Sequence, residues 1–134
     1  MTPIVLMLTE TSPDRLTLAG LAVLHQILES MGCDIVTATD LNDALAILQN
    51  TKIDTAFCTL SVSGGTAFDL LSRARERDLC TAPFIIITIV QTPNQDQLIG
   101  KACTASGAIY MNLSGYDSDE EMRCEVKKLI PQTC

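Results

Sequence analysis

The 134-residue sequence has little of what marks several large functional classes. It has no apolar run of about 18 residues, so no membrane-spanning helix is expected. Its start, Met1 to Leu8, carries no basic stretch ahead of the apolar one. No secretory leader is therefore expected, and the cytoplasm is the expected location. Positive charge is scarce: nine Lys+Arg stand against sixteen Asp+Glu, a net charge of -7. Such a field repels phosphate backbones, so neither nucleic acid nor a membrane is an expected partner. The single histidine, His25, falls on the polar face of a helical segment with Glu29 four residues on, the pattern of a surface pair. The six cysteines (Cys33, Cys58, Cys80, Cys103, Cys124 and Cys134) include no two within four residues, which excludes a zinc-type C-x2-C pair. They read as reduced thiols that mostly act as small buried hydrophobes. There are no linkers, repeats or low-complexity segments, no metal cluster, and no nucleophile–base pair. Enzymatic activity is not expected.

What the chain does have is apolar content, 47% of its residues, enough for one domain over residues 1–134. Short apolar runs alternate with helical stretches. Ile4–Leu8, Asp34–Ala38, Thr55–Thr59, Phe84–Ile89 and Ala108–Asn112 read as strands. In the first and fourth, the apolar residues are continuous rather than alternating, as in strands covered on both faces. Leu21, Val23, Leu24, Ile27, Leu28 and Met31 share one arc of a helix that Gly32 stops. Asp40 caps a second helix through Gln49, with Ala44, Leu45, Ile47 and Leu48 inward. Thr66 to Arg77 forms a third, with Phe68, Leu71 and Ala74 inward and Arg73, Arg75 and Arg77 at the end that favours cations. Asn94 to Ser106 is a weaker fourth. Ser118-x-x-Glu121 is a capping-box pattern that opens a fifth helix through Ile130. Five strands alternating with five helices predict a doubly wound α/β domain of the flavodoxin-like kind, with a five-stranded parallel sheet in the order 2-1-3-4-5.

In such sheets function lies at the carboxyl ends of the strands. Those ends carry Thr9-Glu10-Thr11, Thr59, Thr88 and Asn112-Leu113-Ser114. Phosphoryl transfer there needs a nucleophile, carboxylates for Mg²⁺ and a cation for the phosphoryl oxygens. The sequence offers one carboxylate, Glu10, and no Lys or Arg from Gly107 to Glu121. That is a poor Mg²⁺ site, and no cofactor is expected. Ser63-Gly64-Gly65-Thr66 lacks the lysine of a phosphate-binding loop and reads as a structural turn.

Over essentially its whole length the chain resembles a response-regulator receiver domain. Lys52 to Gly65 runs without a gap against that family's third strand and following loop, and Thr66 to Leu71 against the start of its third helix. Ser30 to Ala38 is similar to the turn into strand two, and Pro83 to Thr88 to strand four with its hydroxyl residue. Gly107-Ala108, Tyr110 and Asp117 to Met122 are similar to strand five and the entry to the last helix. The departures fall on the functional positions. The resemblance puts the family's phosphoacceptor aspartate on Thr59. The acidic pair falls within Thr9-Glu10-Thr11, which keeps one acid. The strand-five lysine falls on Ser114, or on Leu113 in a register one residue shorter. Of these positions only the strand-four hydroxyl, Thr88, is clearly retained. Asp54 lies at the opposite end of the third strand. The loops after the first strand and after Thr88 are longer than usual and border the old site.

The expectation is a degenerate receiver: a stand-alone, phosphorylation-independent interaction module of two-component-type signalling. Its partner would be another protein or a second copy. The degenerate positions are Glu10, Thr11, Thr59, Thr88 and Ser114. The expected contact surface holds Lys101, Tyr110, Glu120, Arg123 and Lys127, with Tyr110 packed on the fifth strand. Two other readings remain open from the residues. One is a working receiver with an unusual acceptor. The other is a small-ligand or cofactor binder using Thr59, Ser63, Gly64, Gly65 and Thr88.

Overall fold

The computed structural model describes residues 3–9, 15–78, 83–89, 92–116 and 118–130. The elements follow in the order β1 (Ile4–Leu8), α1 (Arg15–Ser30), β2 (Asp34–Ala38), α2 (Leu41–Asn50) and β3 (Thr55–Thr59). Next come β4 (Ser61–Val62), β5 (Gly65–Thr66), α3 (Ala67–Glu76), β6 (Phe84–Thr88), α4 (Pro93–Ser106) and β7 (Ile109–Asn112). A 3₁₀ turn, Leu113–Gly115, leads to α5 (Asp119–Leu129).

Five strands form one parallel sheet in the order β2-β1-β3-β6-β7. This is the expected 2-1-3-4-5 arrangement, with two short extra strands counted. Those two, β4 and β5, make an antiparallel hairpin that spans Ser61–Thr66 and takes in the Ser63–Thr66 stretch read as a turn. Val62 anchors the hairpin in the core, and the backbone N–H of Leu41 donates to the carbonyl of Ser63 at 2.9 Å.

The sheet strands look continuously apolar in sequence because both faces are covered. Leu6, Leu8, Ala56, Cys58, Phe84 and Ile86 pack on one side against α2, α3 and Cys103 of α4. Val5, Met7, Phe57, Ile85, Ile87 and Met111 alternate onto the other, against α1 and α5. The period of two is thus intact in the structure though hidden in the sequence.

The helix ends follow their caps. Asp40 accepts from the N–H of Asp43 ahead of α2. Thr66 and Asp69 form a reciprocal capping box ahead of α3, and Ser118 accepts from the N–H of Glu121 ahead of α5. α4 begins one residue earlier than expected, because Pro93 occupies its first position, where a missing N–H costs nothing. Two inward faces are rotated slightly from expectation. In α3 the buried residues are Ala67, Leu70, Leu71 and Ala74, and Phe68 is half-buried. In α2, Leu41 is buried and Ile47 half-buried. Among the described residues no helix is long and apolar enough to cross a membrane.

Candidate functional site

The strand register brings the carboxyl ends of β3, β6 and β7 side by side. Thr59 pairs with Ile87, Ile87 with Met111, and Thr88 with Asn112. Thr59 and Thr88 are both buried, 5% and 8% exposed. A buried hydroxyl must find a partner, and each does. Thr59 Oγ1 donates to the carbonyl of Ser61 at 3.2 Å, closing the turn into the hairpin. Thr88 Oγ1 lies 2.8 Å from the Tyr110 hydroxyl.

Tyr110 donates in turn to Asp96 Oδ1 at 2.7 Å. Its single proton is thereby committed, so Thr88 is the donor in the Thr88–Tyr110 pair. Asn112 Nδ2 donates to the same Asp96 oxygen at 2.9 Å. The result is a chain from Thr88 through Tyr110 to Asp96, with Asn112 as a second donor. The electrostatics match this polarity. Hydrogen bonds from Tyr110 and then Asn112 hold the Asp96 carboxyl below its ordinary range. Burial first, then the bond to Asp96, pushes the Tyr110 phenol up to about 12. Tyr110 therefore does more than pack on its strand.

Asp96 is the member of this site that sequence reasoning did not pick out. It stands fourteen residues from Tyr110 in the chain. The available signal was topological: a helix that follows a parallel strand starts at that strand's carboxyl end. An acid in its first turn therefore falls beside the functional edge.

The remaining expected positions are placed as follows. Glu10 and Thr11 lie outside the described residues. Leu113 is buried at 6% and joins the core, whereas Ser114 is exposed, its hydroxyl donating to Asn112 Oδ1 at 2.8 Å. Ile89, half-buried just after Thr88, packs toward Leu113 and α1. Gly20 makes that approach possible, since a Cβ there would lie 2.7 Å from Ile89 Cδ1 and 3.2 Å from Leu113 Cδ1. Asp54 is structural and sits at the opposite edge, its carboxylate accepting from the N–H of Ile4 at 2.8 Å. Among the described residues no group of three His, Cys, Asp or Glu side chains could hold a metal ion.

Of the expected contact residues, Lys101 and Tyr110 line one groove between α4 and β7, together with Gln97, Thr104 and Ile109. Glu120 and Lys127 are exposed on α5. Arg123 turns the other way and donates to Ser30 Oγ of α1 at 2.7 Å. His25 and Glu29 form the surface pair, Nδ1 to Oε1 3.2 Å. Cys33, Cys58 and Cys103 are buried free thiols, with Cys58 pushed up to about 12 by burial, and Cys124 is exposed. Cys80 and Cys134 lie outside the described residues.

No protein-family model matches the chain, and no curated protein matches it in sequence. Solved structures do. The chemotaxis response regulator CheY4 of Vibrio cholerae superposes with a TM-score of 0.71 at 20% identity, over 97% of this chain and 100% of that one. A two-component response regulator from Clostridium difficile gives 0.70 at 18% identity, over 96% and 95%. The receiver domain of a Pseudomonas aeruginosa sensor histidine kinase, solved with a magnesium ion coordinated in its active-site cleft, gives 0.69 at 13%, over 96% and 98%. The fold is therefore CheY-like, the flavodoxin-like arrangement of response-regulator receiver domains.

Proposed function

We propose that the chain is a degenerate receiver that works by docking another signalling protein and is not phosphorylated. It needs no Mg²⁺ and catalyses no reaction. One observation carries this reading: the hydroxyls of Thr59 and Thr88 are already used inside the fold. Thr59, at the position the resemblance gives to the acceptor, is buried and bonded to the Ser61 carbonyl. Thr88 is bonded to Tyr110. A neutral threonine hydroxyl is also a weak nucleophile without an adjacent base, and its described partner here is a carbonyl. Hydroxyls are poor ligands for a hard dication compared with carboxylates.

The net charge of -7 favours a basic or polar protein surface as the partner. Residues that such a partner can reach include Lys101, Glu120 and Lys127, all exposed. The test is incubation with acetyl phosphate and Mg²⁺, followed by intact mass measurement. The proposal expects no phosphoryl adduct. An adduct on wild type that Thr59→Ala removes contradicts it.

A further inference from the structure

Helix α4 differs from its neighbours in what holds it to the sheet. α2 and α3, at ten residues each, bury four side chains apiece. α4 has fourteen residues and buries one, Cys103. Leu98 is 71% exposed, and the N-cap residue Thr92 makes no side-chain bond to the helix backbone. Burial of an apolar stripe is the ordinary anchor of a surface helix, and here that anchor is thin.

Polar side chains from other elements grip both ends instead. At the amino end, Asp96 Oδ1 takes the Tyr110 hydroxyl at 2.7 Å and Asn112 Nδ2 at 2.9 Å, both from β7. At the carboxyl end, Arg75 of α3 spans the last carbonyls: Nη1 donates to Ser106 O at 2.7 Å and Nη2 to Gly107 O at 3.1 Å. Gly107 takes a φ of 77, and a Cβ there would lie 2.8 Å from Arg75 Nη1. The glycine thus serves both the left-handed cap and the close guanidinium contact. Gly100, between the two grips, weakens the helix at its middle.

We propose that α4 is a latched helix: the Asp96 grip and the Arg75 grip, rather than a buried face, fix its two ends, and opening the Asp96 grip frees the amino half of α4 together with Tyr110. The amino-end latch is continuous with the strand ends, because Tyr110 also holds Thr88. The latch concerns how α4 is held and stands apart from whether Thr59 accepts a phosphoryl group.

The test is hydrogen–deuterium exchange by mass spectrometry on the full chain. Wild type is compared with Asp96→Ala, Tyr110→Phe, Arg75→Gln and the exposed control Gln97→Ala. Asp96→Ala and Tyr110→Phe are expected to speed exchange across residues 93–100 by roughly three- to tenfold, and to leave β1 and β3 unchanged. Arg75→Gln is expected to act at residues 103–108, and Gln97→Ala at neither end. Tyr110→Phe is the cleaner variant, because it keeps the ring and leaves the α4 sequence untouched. If it fails to speed residues 93–100 even in part, the Tyr110 grip is wrong. Unchanged exchange in Asp96→Ala, or a rise spread evenly over the sheet, overturns the latch as a whole.

Discussion

The Tyr110 hydroxyl lies 2.7 Å from Asp96 Oδ1, which makes a carboxylate on α4 the proton acceptor for an aromatic side chain on the edge strand β7. This one contact joins the helix, the strand and, through Thr88, the strand ends where receivers carry their chemistry.

The phenol should titrate far above its ordinary value. Burial and the Asp96 carboxylate push Tyr110 up to about 12, and Tyr116 is raised as well, mainly by burial. In a Tyr116→Phe background, tyrosinate absorbance should report Tyr110 alone. Asp96→Asn removes the charge and should move that titration down toward the ordinary value of about 10. A midpoint unmoved by the substitution would show that Asp96 does not face the phenol in solution.

Stability should fall at acid pH partly through Asp96. Its folded pKa is depressed, so its contribution is complete above the ordinary carboxylate pKa and is lost as pH falls through the depressed value. The gap in melting temperature between wild type and Asp96→Ala should therefore be widest near neutrality and narrow toward pH 3 (roughly one unit below the reference carboxylate pKa). A gap independent of pH contradicts the assignment.

Placing an acid at Thr59, the position the resemblance gives to the acceptor, should harm the protein. Thr59 is 5% exposed, and its hydroxyl needs only the Ser61 carbonyl. Thr59→Val should cost about 1 kcal/mol, the loss of one hydrogen bond. Thr59→Asp buries a carboxylate and should cost about 2 kcal/mol or more at neutral pH. Much of that cost should be relieved in acid, where the group is neutral. Urea unfolding of both variants at two pH values measures this. A Thr59→Asp variant as stable as wild type at neutral pH would reveal a cation at the strand ends.

Gly107→Ala should cost about 1–3 kcal/mol, since φ is 77 and the new Cβ meets Arg75. Part of that cost should vanish when Arg75 is already alanine. A double-mutant cycle by urea unfolding gives the coupling, and strictly additive changes would place the guanidinium elsewhere.

Most of the fold was legible because its signals are local. Apolar runs such as that in the Phe84–Ile89 stretch marked fully covered strands, and the structure ends this one at Thr88. Asp40, Thr66 and Ser118 marked helix starts within a residue of where they fall. The hairpin β4–β5 was not legible, because two-residue strands carry no periodicity and rest on Val62 and the Gly64–Gly65 backbone. The site was half legible. Thr59 and Thr88 follow from strand ends alone. Asp96, Asn112 and Tyr110 meet only after the sheet has set its register, so their partnership has no footprint in sequence spacing. Arg123 is a related case: it lies on α5, and its side chain reaches Ser30 of α1, a contact with no footprint in sequence spacing.

The most direct test of the phosphorylation-independent reading is a backbone amide NMR titration of the full chain with Mg²⁺, followed by beryllofluoride as a phosphoryl mimic. The account predicts no saturable shift at Thr59, Thr88 or Tyr110 in either step. Saturable shifts that begin at Thr59 and spread through Tyr110 into α4 would contradict it and show that a working phosphoryl switch survives.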